Sequence, residues 1–217
     1  MNPNPELALQ AAILAQAHER KPAETFWASG LGMCPRRQIA QRAGLPPTVS
    51  TTMQAQFKMA TGTVLGRWIS DLLIQQGYLD PAWTEKRLEL GGYSGRPDGF
   101  TPHINGGAIW ECKTCDDRAV TKNDMPEHYL WQSCWYAMAA NVNTVVIFQI
   151  GKNQGLSKHR VFTLTDEWKE KILTEMQGMD REWIKFQATQ ILPPCNHRFP
   201  WEDKWCSFQE PKEVVCE

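Results

Sequence analysis

A short apolar segment at residues 108–114 carries two charged side chains, Glu111 and Lys113, separated by one residue. The segment predicts a strand. Side chains alternate between the faces of a strand, so Glu111 and Lys113 point the same way while Cys112 points away. Trp110 indicates that this strand is central in its sheet. Burying an acid and a lysine there costs free energy unless the two groups perform some task.

A second acid, Asp98, precedes this strand, and the pair Gly106-Gly107 between them predicts a turn. Two strands that meet through this turn would bring two carboxylates and the Lys113 ammonium together. Carboxylates bind a hard cation such as Mg²⁺, and a neighbouring lysine can orient a water or stabilise negative charge on phosphorus. The alternative interpretation is a surface hairpin with an ordinary ion pair between Glu111 and Lys113.

Length, charge and cysteine usage set limits on the class of protein. The 217 residues favour one domain with a sizeable core. A net charge of −1 excludes a global basic field, so nucleic-acid binding would need a local patch. No apolar run is long enough for a bilayer and the first residues lack a signal-peptide pattern, which predicts a cytoplasmic protein with no membrane partner. Seven cysteines, an odd number, favour thiols or metal ligands over disulfides in a reducing compartment.

The order of predicted elements favours an α/β fold with a mixed central sheet flanked by helices on both faces. The predicted core is residues 53–190, and residues 1–52 are expected to form helices that pack with a cysteine-bearing tail, 191–217, in a single domain 1–217. The predicted helices are 5–20, 53–77, 127–140 and 166–187, and the predicted strands are 83–90, 93–100, 108–114, 143–150 and 160–164.

Gly-x-x-Asp ending at Asp98 and Glu-x-Lys-Thr starting at Glu111 resemble the core of PD-(D/E)XK nucleases. The next predicted helix carries Gln132 and Tyr136 at a spacing similar to the third signature of the RecB-like branch. Residues four apart share a helix face, and the resemblance implies that both side chains support the site or the substrate. It covers roughly residues 30–216 and implies a restriction-endonuclease-like nuclease core.

This resemblance implies a Mg²⁺- or Mn²⁺-dependent deoxyribonuclease, expected to be an exonuclease in recombination, repair or phage DNA processing. DNA is the implied partner, in the cytoplasm of a bacterial or phage-infected cell, and a homo-oligomer or a recombination partner protein is a further expectation. In the family's arrangement Asp98, Glu111 and the backbone carbonyl of Cys112 hold the metal, and Lys113 positions or activates the attacking water.

The sequence departs from the family pattern at one position. The RecB-like branch has a Gly-x-x-x-His motif on the preceding helix, whereas the matching stretch here, from Gly62 to Gly66, ends in glycine. The site would then use fewer protein ligands, or Asp71 or Glu85 would compensate, or activity is lost. The alternative function is therefore a catalytically inactive nuclease-fold protein that binds DNA or has a structural role.

The cysteines form a second set of candidate ligands. Cys34 upstream and Cys195, Cys206 and Cys216 in the tail resemble the arrangement in iron–sulfur exonucleases of the RecB-like branch, such as the CRISPR-associated ones, and imply a 4Fe–4S cluster. Their spacing in the tail is wider than in that family. Zinc, with His197 as a ligand, and buried free cysteines without any metal are the two alternatives.

Overall fold

The computed structural model describes residues 22–49, 52–84, 86–104, 106–122 and 125–209, with the side chains of residues 204 and 205 left aside. The chain divides into two compact units. The first, here called the thiol unit, comprises the described parts of Met1–Phe26, Met33–Ala60 and Gly178–Glu217. The second, the sheet unit, comprises those of Trp27–Gly32 and Thr61–Gln177. The predicted helix 5–20 lies outside the described residues.

Seven strands and six α-helices lie within the described part of the chain. The strands are β1 (Phe26–Trp27), β2 (Leu88–Leu90), β3 (Tyr93–Gly95), β4 (Gly99–Thr101), β5 (Ala108–Cys115), β6 (Thr144–Gly151) and β7 (Ser157–Thr163). The helices are α1 (Pro35–Arg42), α2 (Met53–Gln75), α3 (Asp117–Thr121), α4 (Glu127–Ala139), α5 (Asp166–Thr189) and α6 (Glu202–Trp205). In this part no helix is both long enough and apolar enough to cross a bilayer.

The main sheet has four strands in the order β4-β5-β6-β7. β5 runs antiparallel to β4 and parallel to β6, and β7 runs antiparallel to β6. The first five residues of β5 are buried, as expected for a strand with neighbours on both sides and layers on both faces. The predicted mixed α/β sheet flanked by helices is therefore confirmed.

Apolar side chains from α2 and the segment after it cover one face of the main sheet. Trp110 and Val146 form the centre of this layer together with Leu79, and Leu73 and Ile74 of α2 pack against them. Because side chains alternate along β5, Glu111 and Lys113 face the opposite side, where α4 lies. The sheet thus separates an apolar layer from a layer that holds charged side chains.

The turn between β4 and β5 depends on glycine. Gly107 has φ 74°, and a side chain there would stand 2.2 Å from the Phe100 ring. Only glycine adopts this conformation at little cost while tolerating so close a neighbour. The turn fixes the register in which Gly99 faces Trp110, and this register decides where Asp98 lies.

A smaller sheet has the order β1-β3-β2, with Leu88 opposite Gly95. Of the strand predicted for residues 83–90, only Leu88–Leu90 form a strand among the described residues, and Trp83 instead ends a 3₁₀ helix, Pro81–Trp83. The Asp80 side chain accepts from the Ala82 N–H at 2.9 Å and caps this helix, while Pro81 sets the backbone angle of its first residue. At Trp83 the capped turn therefore forms in place of the strand that the alternating pattern predicted.

The thiol unit is held together by contacts between its early and late segments. Cys206 and Phe208 form a buried cluster with Ala40 of α1. The Arg36 side chain donates to the carbonyl oxygens of Pro193 at 3.1 Å and Phe208 at 2.8 Å. These bonds fix the tail against α1.

Candidate active site and thiol cluster

Asp98 comes immediately before β4, beside the centre of β5. Its Oδ2 accepts a hydrogen bond from the Cys112 backbone N–H at 2.8 Å. The carboxylate is thus pinned against the strand while remaining exposed to solvent. The β4–β5 register carries Asp98 to the stretch of β5 that bears Glu111 and Lys113.

Glu111 and Lys113 form a buried ion pair on the α4 side of β5. The Lys113 Nζ donates to Glu111 Oε1 at 2.6 Å and to Gln132 Oε1 at 2.7 Å. Glu111 is only 3% exposed, which contradicts the surface-hairpin alternative. A buried pair of this kind contributes little net stability, since both groups lose hydration. Its retention in the interior therefore fits a role in binding or chemistry.

The helix α4 continues this network to Tyr136. The Gln132 side-chain Nε2 donates to the Tyr136 hydroxyl at 3.1 Å, as expected for residues one helical turn apart. Tyr136 in turn lies against β3, because a side chain on Gly95 would stand 2.7 Å from the tyrosine ring. The glycine of the Gly-x-x-Asp motif is thus required so that Tyr136 can approach the strand, which the sequence did not indicate.

The surroundings of Glu111 favour the neutral carboxyl more than water favours that of an exposed glutamic acid. Burial raises the pKa of Glu111 to about 7; the Lys113 charge opposes this rise and the Asp98 charge adds to it. For Lys113, burial lowers the pKa, but the attraction of Glu111 and Asp98 outweighs burial and the pKa is raised overall. Lys113 therefore stays protonated at neutral pH and acts as a donor.

The donor set of this site fits a hard divalent cation. Glu111 Oε2 is buried and has no hydrogen-bond partner of good geometry among the described residues, although the Asp98 backbone N–H lies near the carboxylate and its other oxygen is bonded to Lys113. An unpaired carboxylate oxygen in the interior is costly unless something compensates it. Asp98 offers a second carboxylate immediately before the neighbouring strand β4, and carboxylate oxygens are the ligands that Mg²⁺ and Mn²⁺ prefer.

Sequence reasoning missed the part played by Tyr129. Its ring centroid lies 5.3 Å from the Lys113 Nζ, within the range of a cation–π contact. The neighbouring His128 has a pKa lowered to about 4, first by burial and then by the Lys113 charge. Tyr129 stands three positions before Gln132, which is the helical spacing that could have indicated a shared face.

The stretch from Gly62 to Gly66, which differs from the Gly-x-x-x-His pattern of the RecB-like branch, lies in α2. A side chain built on Gly66 would meet no atom within 4 Å, whereas one on Gly62 would stand 2.9 Å from Thr114 Oγ1. Gly62 therefore lets α2 approach β5 closely, and packing does not require a glycine at position 66. Asp71 is exposed on α2. Glu85, the other predicted auxiliary acid, lies outside the described residues.

The two helical glycines give a matched stability test. Replacing Gly66 with alanine is expected to raise the free energy of unfolding by about 1 kcal/mol, because alanine loses less backbone entropy in a helix and finds open space here. Gly62→Ala should gain less or lose stability, since its methyl group crowds Thr114. Denaturant titration followed by tryptophan fluorescence measures both; a lower midpoint for Gly66→Ala than for wild type would contradict the expectation.

The thiol unit holds the second set of candidate ligands. The ligand atoms of Cys34, Cys195 and His197 all lie within 4.8 Å of one another. The Cys206 thiol hydrogen-bonds to the Cys34 sulfur, and this bond, working against burial, lowers the pKa of Cys34 to about 5. Cys206 accordingly has a raised pKa. Cys34 and Cys195 are therefore brought together with the histidine, Cys206 contacts Cys34, and Cys216 lies outside the described residues.

A buried carboxylate that no sequence pattern singles out, Glu202, organises this cluster. Glu202 is 1% exposed, and its Oε1 accepts from the Cys34 backbone N–H at 2.9 Å. Its Oε2 accepts from the backbone N–H groups of Arg198 at 2.9 Å and Phe199 at 3.0 Å. Glu202 thus ties the backbone at Cys34 to the segment that follows His197.

No protein-family model matches this sequence, and no curated protein matches it. The structure resembles the crystal structure of SSO0001, with a TM-score of 0.57 and 18% identity, over 100% of this chain and 98% of that one. It also resembles the alkaline exonuclease LHK-Exo from Laribacter hongkongensis, with a TM-score of 0.53 and 14% identity, over 83% and 98% of the two chains. For LHK-Exo in complex with dAMP the TM-score is 0.54 and the identity 15%, over 85% and 98%. The chain therefore shares the mixed α/β fold of a solved exonuclease.

Proposed function

We propose that this chain is a Mg²⁺- or Mn²⁺-dependent deoxyribonuclease of the RecB-like PD-(D/E)XK type that acts as an exonuclease on DNA. The observation that carries the proposal is the hydrogen-bonded series from Glu111 through Lys113 and Gln132 to Tyr136, with Asp98 bonded to the same strand. The shared fold with an exonuclease, LHK-Exo, whose structure in complex with dAMP is also similar, supports it.

Each residue has a role that follows from its position. Asp98, Glu111 and the Cys112 carbonyl would hold the divalent cation, which supplies neutralisation of the scissile phosphate when bound. Lys113 is a protonated donor, so it orients the attacking water and stabilises charge on the phosphate and does not act as a base. Gln132 keeps the Lys113 ammonium in place through its Oε1.

The raised pKa of Glu111 predicts how cation binding depends on pH. A cation competes with the proton on Glu111, whose folded pKa of about 7 lies above its ordinary value. Below pH 7 the carboxyl is mostly protonated and above it mostly ionised, so Mn²⁺ affinity is expected to rise roughly tenfold from pH 6 to pH 8. Isothermal titration with Mn²⁺ at the two pH values measures this, and an affinity that is flat or falls with pH would contradict it.

A second candidate function rests on Gly66. Without the histidine of the family motif, the protein could be a nuclease-fold DNA-binding or structural protein that does not cleave. DNA bound in a mobility-shift experiment, with no nucleotide released in Mg²⁺ or Mn²⁺, would favour this function over the nuclease.

Linear and covalently closed DNA substrates distinguish the possible nuclease activities. We expect release of nucleotides from linear DNA in Mg²⁺ or Mn²⁺ and none from a closed circle, because an exonuclease needs a free end. Nicking or linearisation of the circle would instead identify an endonuclease of the same fold. Testing single- and double-stranded forms in parallel defines the preferred strand state.

A bacterial or phage-infected cytoplasm is the compartment in which such an enzyme meets its DNA.

The same resemblance implies a metal centre at the cysteines: a 4Fe–4S cluster on Cys34, Cys195, Cys206 and Cys216, or zinc as the alternative metal. The proximity of Cys34 and Cys195 to each other supports a metal centre in this unit. Metal binding at the cysteines can be tested separately from DNA cleavage. The cysteine ligands belong to the thiol unit, whereas the candidate active site belongs to the sheet unit.

A further inference from the structure

We propose that Cys34, Cys195, His197 and Cys206 bind a single Zn²⁺ ion in the thiol unit. Three of these residues offer ligand atoms that all lie within 4.8 Å of one another. Tetrahedral zinc with Zn–S bonds of about 2.3 Å holds its ligand atoms about 3.8 Å apart, so small side-chain adjustments bring the three onto one ion. Zinc binding at these residues does not depend on nuclease activity.

His197 is oriented as a zinc ligand. Its Nδ1 is hydrogen-bonded to Asp203 Oδ1, and its Nε2 is buried with no hydrogen-bond partner among the described residues. A neutral imidazole that donates from Nδ1 to a carboxylate presents the lone pair of Nε2. Histidines that bind metals characteristically donate their other ring nitrogen to such an outer carboxylate, which fixes the ring. A bond to zinc would satisfy the buried Nε2.

Cys206 is the proposed fourth ligand: it contacts Cys34 but stands outside the group whose ligand atoms are all within 4.8 Å of one another. Its sulfur already hydrogen-bonds with that of Cys34, and the two side chains are 3% and 0% exposed. Two buried sulfurs in contact, one nitrogen and a third sulfur make a Cys₃His set, one of the usual closed structural zinc sites. Each sulfur binds as a thiolate and forms one bond to the metal, and any proton that a cysteine still carries is released to solvent.

The geometry favours one ion over a 4Fe–4S cluster. In such a cluster each thiolate binds a different iron, so the ligands surround a group of eight atoms and stand further apart than the ligands of one ion. Here His197, which a four-cysteine cluster does not need, lies among the sulfurs with its free nitrogen buried. Glu202 also binds the backbone N–H of Cys34 and of the segment after His197, which holds the two sides of the site at this spacing.

The test is elemental analysis of the full chain purified anaerobically, with variants that separate the two kinds of centre. We expect about one zinc per chain and no iron or acid-labile sulfide. His197→Ala and Cys195→Ser should lose the zinc, whereas Cys216→Ser should keep it. A four-cysteine cluster predicts the reverse for His197→Ala and Cys216→Ser. Cys115→Ser, which removes a partly exposed thiol of the sheet unit, is the control and should keep the zinc.

Cobalt substitution of the wild-type protein keeps the test decisive even if the ligand variants fail to fold. Co²⁺ in a Cys₃His site should give the intense visible bands of tetrahedral cobalt and a thiolate-to-cobalt charge-transfer band, both removed by added zinc. Iron with sulfide in the purified protein, or no metal together with no tetrahedral cobalt spectrum, would overturn the proposal.

Discussion

Replacing Lys113 with alanine is expected to reduce metal-dependent DNA degradation by about 10³-fold, the usual effect of removing a donor that stabilises developing charge. The variant loses the donor to Glu111 Oε1 and to Gln132 Oε1 at once. It also leaves Glu111 buried without its counter-charge, so the pKa of Glu111 should rise further and the carboxyl should bind a cation less well at neutral pH. Initial rates of nucleotide release at saturating Mn²⁺ measure the loss.

Two companion variants make this result interpretable. Asp98→Asn removes one charge but keeps an oxygen that can accept from the Cys112 N–H, so it should lose activity while the fold stays intact. Lys185→Ala removes an exposed lysine of α5 and should degrade DNA as wild type does. If the Lys113→Ala and Asp98→Asn proteins are folded and have undiminished activity, the proposed active site is wrong.

Replacing Glu202 with alanine is expected to be the most destabilising single change in the thiol unit, by about 3 kcal/mol or more. The change leaves the backbone N–H groups of Cys34, Arg198 and Phe199 without their acceptor in a buried place. Each unsatisfied buried N–H costs free energy, and the alanine also leaves space where the carboxylate stood. Denaturant unfolding of the metal-free protein measures the loss.

A graded series separates the hydrogen bonds from the space that Glu202 fills. Glu202→Gln keeps the side-chain volume and one acceptor oxygen, but places an amide N–H₂ against a backbone donor, so its stability should lie between those of wild type and Glu202→Ala. Glu170→Ala, an exposed change on α5, should leave stability within the usual small range for surface substitutions. Equal stability of wild type and Glu202→Ala would show that these bonds contribute nothing.

Local patterns predicted much of the sheet and of the candidate active site. The period of two along β5 placed Glu111 and Lys113 on one face, and the helical spacing of Gln132 and Tyr136 placed both on one side of α4. The glycine pair before β5 indicated the turn that pairs it with β4. These features depend on residues close in sequence, so local periodicity and spacing are enough to predict them.

Contacts between distant segments were not predictable in the same way. Glu202 binds the backbone of Cys34, which is 168 residues away, and backbone N–H groups carry no residue-specific signal. The approach of Tyr136 to Gly95 likewise depends on how α4 packs on β3, which periodicity does not determine. At Trp83 the capped turn Pro81–Trp83 replaces the start of the predicted strand, because the Asp80 cap satisfies a backbone donor locally.

The most direct measurement of the central claim is the release of acid-soluble nucleotide from linear DNA by the wild-type protein in Mg²⁺, in Mn²⁺ and in excess chelator. The geometry of Asp98, Glu111 and Lys113 predicts release in the presence of either cation and none in chelator. Release that persists in chelator, or no release in either cation from a folded protein that binds DNA, would contradict the claim that these three residues form a metal-dependent nuclease site.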